Sequence, residues 1–276
     1  MGSGRVTAGG AELYYETHGA GPDMLLIAGA GGTAASFTGV VPFLAERFRL
    51  VTYDRRGLNR STGRDSHAGT MRQQAADVLA VLDAAGAERP IVFGTCGGAS
   101  IGFELSARYP DRVRGLVAHE PITVRVLDDA AAQLEFFRQM CEQNVREGPM
   151  PAMMRWMTYM GRDFELKIRP AFRERTLADG DFVFRHDLMP MVEYLPDASS
   201  LADRVPVTLA VGEGSRKGDY SYARTVLPLA RMLGCEVAEI PGHHTSYIYR
   251  PDVFGPALGE QALSLIGRLA SKATNE

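Results

Sequence analysis

The stretch IVFGTCGGASIGFELSARYP, residues 91–110, decides the fold. An apolar run meets Gly94-Thr95-Cys96-Gly97-Gly98, and a segment with apolar residues at helical spacing follows. The reading is a strand, a sharp turn and a helix, with Cys96 at the tip of the turn. Gly94 and Gly98, two residues to either side, supply the small flanks that such a turn needs. Backbone N–H groups at the start of the helix, near Gly97, favour a negative charge beside them. A thiol, with a reference pKa of about 8.5, ionises more readily in such a position or next to an imidazole. An isolated Cys is an ordinary small core residue. Inside this glycine frame, Cys96 reads as a nucleophile.

Outward from the turn, strands and helices alternate. AELYYETHGAGP (11–22) alternates Leu13 and Tyr15 with polar neighbours and then turns, as an amino-terminal strand does. DMLLIAGAGGTAASF (23–37) is an apolar strand entering a glycine-rich loop, and GVVPFLAERFRLVTYDRRG (39–57) a helix and a buried strand ending near Asp54. TMRQQAADVLAVLDAAG (70–86) has helical spacing, with Gly86 as its stop. VRGLVAHEP (113–121) is a further strand, after which the alternation breaks. Residues 124–204 read as helical and loop-like, with LEFFRQMCEQNVREG and AMMRWMTYMG the clearest helices. The pattern resumes with the strand PVTLAVGEGS, a helix over 221–233, the strand CEVAEIPGHH and a last helix from Pro251.

This order implies an α/β fold: a mostly parallel twisted sheet covered by helices on both faces, with ligands at the carboxyl ends of its strands. Residues 1–123 and 205–276 form the expected core, split by a helical cap over 124–204. The cap holds eight of the twelve Met residues. Most of them read as core filler, although Met-rich surfaces also adapt to irregular apolar ligands.

Composition bounds the partners. With 45% hydrophobic and 23% charged residues and a net charge of −3, the chain has the balance of an ordinary globular protein and no basic field for nucleic acid. The pairs Arg55-Arg56 and Arg216-Lys217 read as solvated surface. No signal-peptide pattern or apolar run long enough for a bilayer is visible, so neither export nor membrane insertion is expected. Cys96, Cys141 and Cys235 are odd in number and widely spaced, which fits a reduced, cytoplasmic setting and no metal. The loop GAGG lacks both glycine-rich nucleotide patterns, because Ala34 stands where a dinucleotide fingerprint needs Gly; no cofactor is expected.

On LLIAGAGG, YDRRGLNRST, FGTCGG, LVAHEP and PGHHTSY, the sequence resembles the α/β-hydrolase superfamily over nearly its whole length. Their order and spacing are similar to the capped esterase and haloalkane-dehalogenase-like branch, with the cap after the sixth strand. The resemblance implies a fold rather than one reaction, since the superfamily holds hydrolases, acyltransferases, lyases and non-catalytic members. It points to His244, after the turn Pro241-Gly242, as the base, with His243 as competitor. His18, His67, His119 and His186 have no equivalent placement and read as surface or structural. Members often carry the orienting acid three residues after the Gly ending the seventh strand; that position is Ser215, with Glu213 and Asp219 nearby but off register. The second location used in dehalogenase-like members is Glu120, which is preferred here. The implied oxyanion donors are the N–H of Gly97 and the N–H of Ala30, with Ala28 departing from the His usual in relatives. YDRRG reads as loop-stabilising ion pairing.

A Cys nucleophile forms a thioester with its acyl group, which water or another acceptor can release. The expected activity is therefore hydrolysis or acyl transfer on an ester, thioester or lactone, with Cys96, His244 and Glu120 as the triad and a moderately large, largely apolar small-molecule acyl substrate as partner. The alternative is a lyase or cyclase using the same pocket without acylation; a binding module with a dead site is a third class. Oligomeric state leaves no mark in the sequence.

Overall fold

The computed structural model describes residues 1–64, 69–161, 178–201 and 204–273. These residues form an eight-stranded sheet in the order β1-β2-β4-β3-β5-β6-β7-β8. The strands are β1 (Gly2–Ala8), β2 (Ala11–His18), β3 (Asp23–Ile27), β4 (Arg49–Tyr53), β5 (Ile91–Thr95), β6 (Gly115–His119), β7 (Val207–Gly212) and β8 (Glu236–Ile240). β1 and β2 are antiparallel, as are β2 and β4; the pairs from β4 onward are parallel. Helices α1 (Val41–Leu44), α2 (Met71–Ala85), α3 (Gly97–Arg108), α4 (Ala130–Glu147) and α5 (Pro149–Met160) precede α6 (Leu188–Val192) and α7 (Ala198–Leu201). After β7 come α8 (Glu213–Lys217), α9 (Ser221–Arg224), α10 (Val226–Leu233), α11 (Ser246–Tyr249) and α12 (Pro251–Ala273).

The central strands are apolar on both faces because both faces are covered. In β3, Leu25 and Ile27 join a core with Val78, Val81 and Leu82 of α2 and Ile101 and Leu105 of α3. Met24 and Leu26 point the other way, to Phe254, Leu258 and Leu265 of α12. Gly86, in the left-handed conformation at φ 64°, ends α2 as its sequence suggests.

Two elements differ from the sequence reading. β1 is a strand although GSGRVTA shows little apolar content; it is a mostly exposed edge, held by pairing along β2 rather than by burial. The helix expected over 221–233 is broken at Thr225, whose hydroxyl donates to the Pro121 carbonyl at 2.7 Å and lies 2.8 Å from the Tyr222 carbonyl. A hydroxyl bonded back to its own turn competes with regular helix geometry.

Arg55 and Arg56 are not solvated, contrary to the reading of the pair as surface: both are fully buried. Arg56 makes a two-toothed bond to Asp77 of α2, at 2.8 and 2.6 Å, and donates to the carbonyls of Ala8 and Gly9. It thereby ties the β1–β2 turn to α2. Asp54 beside it accepts from the Ala34 N–H and from Asn59 and Arg60, closing the loop after β4. This is the ion pairing expected of YDRRG, carried out inside the protein.

Removing one partner of a buried ion pair strands the other without solvent. Asp77→Leu is expected to lower stability by about 3–5 kcal/mol in urea unfolding. A loss within experimental error would show that Arg56 finds other compensation.

Candidate active site

The sheet order places the carboxyl ends of β5, β6, β7 and β8 side by side. Cys96 follows β5, Glu120 follows β6, Gly212 ends β7, and His244 lies beyond the turn after β8. Continued pairing past the strand ends sets their positions: Cys96 N–H donates to the His119 carbonyl and Glu120 N–H to the Ala210 carbonyl.

Cys96 adopts φ 57° and ψ −126° at the amino-terminal cap of α3. Such backbone is costly for a residue with a side chain and persists only where its surroundings enforce it. The glycines show how they do so. A Cβ on Gly94 would lie 2.4 Å from the Gly98 carbonyl oxygen, and one on Gly98 would lie 2.2 Å from the Ile27 oxygen. On Gly29, it would meet the Cβ of Cys96 at 2.6 Å. The loop after β3 therefore presses backbone-first on Cys96.

Glu120, also left-handed at φ 44°, is fully buried. Its Oε2 lies 2.6 Å from His244 Nδ1, while its Oε1 accepts the Gly212 N–H at 2.8 Å. Burial pushes this carboxyl up, but the neighbouring His119 and His244 rings and the Gly212 N–H hold it below its usual range. His244 is buried too, and burial pulls its pKa down. Hydrogen bonds to Cys96 and Glu120, with the negative charges of both, more than offset that and raise it to about 9. At neutral pH the proton thus rests on His244.

The structure brings Cys96, His244 and Glu120 together. Gly97 opens α3, where N–H groups have no intrahelical acceptor, and Ala30 sits in the loop pressed on Cys96. The other acid candidates lie elsewhere: Glu213 is exposed and paired with Lys217, and Asp219 is exposed. Ser215 is buried. The His243 ring packs on Gly214, and the His243 backbone N–H donates to Ser246 Oγ. His18 lies near Glu16 and His186 against Phe182, while His67 is outside the described residues.

His119 is not the bland residue that its sequence position suggests. It is fully buried, bonded through Nδ1 to Thr95 Oγ1 at 3.0 Å, and stacked between Phe93 and His244. Burial depresses its pKa to about 4, so the ring against His244 is neutral. Tyr222 covers another side of His244, with ring centroids 4.3 Å apart, and donates its hydroxyl to the Met160 carbonyl of α5. Met191 of α6 stands over Gly97. The strand register could have flagged His119; nothing local in the sequence points to Tyr222 or Met191.

The donor atoms of His119, Glu120 and His244 lie within 4.8 Å of one another, a spacing that could admit a metal ion. However, the two imidazoles stack at 26° to one another, so their in-plane lone pairs do not converge, and His244 already engages Glu120. The arrangement fits a proton-holding relay better than a metal cage. Among the described residues, no helix is long and apolar enough to cross a membrane.

Residues 22–145 match the family model described as alpha/beta hydrolase fold. The chain is 30% identical over 250 residues to the uncharacterized hydrolase YraK of Bacillus subtilis, covering 89% of this chain and 90% of that protein. It is 31% identical over 269 residues to the putative carbamate hydrolase RutD of Azorhizobium caulinodans, covering 91% and 94%. Among solved structures, a thermophilic esterase from Thermogutta terrifontis superposes with a TM-score of 0.78 over 96% of this chain and 99% of that one, at 21% identity, a likeness of fold. With full-length relatives at this identity and a sheet of this order around the Cys96 turn, the chain belongs to the α/β-hydrolase family, as a hydrolase of that fold.

Proposed function

We propose that the protein hydrolyses, or transfers the acyl group of, an ester, thioester or lactone through an acyl-enzyme on Cys96. The observation that carries this reading is the thiol at a left-handed turn on a helix amino terminus, beside a 2.6 Å His244–Glu120 pair. The Cys96 sulfur attacks the acyl carbon, and the carbonyl electrons move onto oxygen. The N–H groups of Gly97 and Ala30 receive that oxyanion. As the tetrahedral species collapses, His244 gives its proton to the leaving group. Water, or a second acceptor, then passes a proton to His244 and attacks the thioester, releasing Cys96. Glu120 keeps Nδ1 of His244 engaged and Nε2 toward sulfur.

In this reading the described residues between 124 and 201, helices α4 to α7 among them, serve as a cap over this centre. Rings of Phe136, Phe137, Trp156 and Tyr159 run through α4 and α5 to Tyr222 and so to His244, which supports a largely apolar acyl substrate. The names of the relatives, a carbamate hydrolase and an esterase, support chemistry at an acyl carbon. Three free cysteines suit a reducing cytoplasm.

Intact-protein mass after brief exposure to a panel of p-nitrophenyl esters, acyl thioesters and lactones tests the mechanism. An acyl mass gain is expected in the wild type and absent in Cys96→Ala and His244→Ala, with product followed in the same tubes. Turnover that survives Cys96→Ala without an adduct would overturn the covalent route in favour of a lyase or cyclase.

The pH profile tests the relay. Since His244 holds its proton to about pH 9, steps that need it as an acid decline above that pH. Glu120→Gln removes a negative charge from the ring, so the proton leaves at lower pH and the alkaline limb moves down. Its kcat is expected to fall on the order of 10³-fold or more. An unshifted limb would assign the orienting role to another group.

A further inference from the structure

The mechanism leaves unused a buried charge bonded to the loop after β3. Arg55 is fully buried, with Nη1 and Nη2 at 2.7 and 2.6 Å from the two carboxylate oxygens of Asp187, a residue of the segment between β6 and β7. Burial works against its charge, and the Asp187 carboxylate keeps the guanidinium protonated. Nη2 also donates to the Gly29 carbonyl at 2.7 Å. That oxygen receives a second bond, from the Gly32 N–H at 3.0 Å, so it is held from two directions. The Gly29 carbonyl and the Ala30 N–H belong to one peptide unit, which is trans. In a trans peptide the C=O and N–H point in opposite directions, so an anchor on one aims the other. Around it, Phe182 packs on Gly57, and Val183 shares an apolar cluster with Leu58 and Ala30.

We infer that Arg55 is a positioning residue for the oxyanion site: by holding the Gly29 carbonyl it aims the Ala30 N–H, and through Asp187 it makes that aim depend on the seating of the cap. A cationic donor on the carbonyl also polarises the peptide unit, strengthening its N–H as a donor. This inference rests on the acyl-enzyme reading above. It differs from a general stabilising role because it concerns only steps that build an oxyanion.

Two reactions of the same sulfur separate the possibilities. Acylation by p-nitrophenyl butyrate passes through a tetrahedral oxyanion, whereas alkylation by iodoacetamide displaces iodide without forming one. The double variant Arg55→Met/Asp187→Leu removes both charges and leaves apolar groups in the buried site, so it avoids an unpaired ion. Its p-nitrophenolate burst is expected to slow on the order of tens to a hundredfold, near the effect of losing one oxyanion donor. Its alkylation rate at Cys96 should stay that of the wild type. In Asp187→Asn, where Arg55 can still reach Gly29, the burst should fall less than in the double variant. Equal slowing of both reactions, or an unchanged burst, would overturn the inference while a normal wild-type adduct left the acyl-enzyme intact. A wild type that forms no adduct would instead remove the acyl-enzyme reading and this inference with it.

Discussion

Backbone-to-backbone contact at the Cys96 turn is the constraint on which the site depends. Helix α3 starts so close to β3 and β5 that Gly94 and Gly98 leave no room for a methyl group, the nearest atoms being carbonyl oxygens. Backbone carbonyls within a strand or a helix do not give way as flexible side-chain ends do. This crowding forces Cys96 into its left-handed conformation and brings the amino terminus of α3 onto the sheet edge. The same closeness continues at Gly29, so the Cys96 turn and the loop after β3 form one packed unit. A substitution at any of these glycines would therefore disturb chemistry and fold together.

Buried charge organises what backbone packing leaves open. The loop after β4 contributes three ionic anchors in succession: Asp54 to the start of the Ala34 turn, Arg55 to Asp187 and Gly29, and Arg56 to Asp77 and the β1–β2 turn. Each is paired, as burial of an ion demands. Their number in so short a segment means the loop is fixed by electrostatics rather than by apolar volume. Ala28 is too small to brace the loop after β3, and the guanidinium of Arg55 holds it by the Gly29 carbonyl.

Legibility in the sequence follows the range of the physics. The Cys96 turn, the Gly86 stop and the apolar strands were readable because glycine conformation and hydrophobic spacing act within a few residues. Glu120 and His244 were readable as a pair only through resemblance to a family, since nothing between positions so far apart in sequence announces their 2.6 Å contact. The edge strand β1 was hidden because an exposed edge needs no apolar alternation. Arg55 and Arg56 misled for a related reason: adjacent charges read as surface, and their partners at 187 and 77 appear only in three dimensions. His119 carries no local signal in the sequence because its environment comes from Phe93, His244 and Phe254 on three separate elements.

The neutral His119 against His244 gives the relay its direction. Two stacked imidazoles beside one carboxylate could in principle share a proton, and a shared proton would weaken the base. Here burial keeps His119 neutral, with a pKa near 4, while Glu120 and the Cys96 sulfur raise His244 to about 9. That separation confines the positive charge to the ring that faces sulfur. The ring is thereby held between the Glu120 carboxylate on Nδ1 and the Cys96 sulfur. The groups around this ring and the Cys96 turn have their orientation set from elsewhere in the fold: the Gly97 N–H by the helix start, the Gly29–Ala30 peptide by the bond from Arg55 to its carbonyl, and His244 by Glu120.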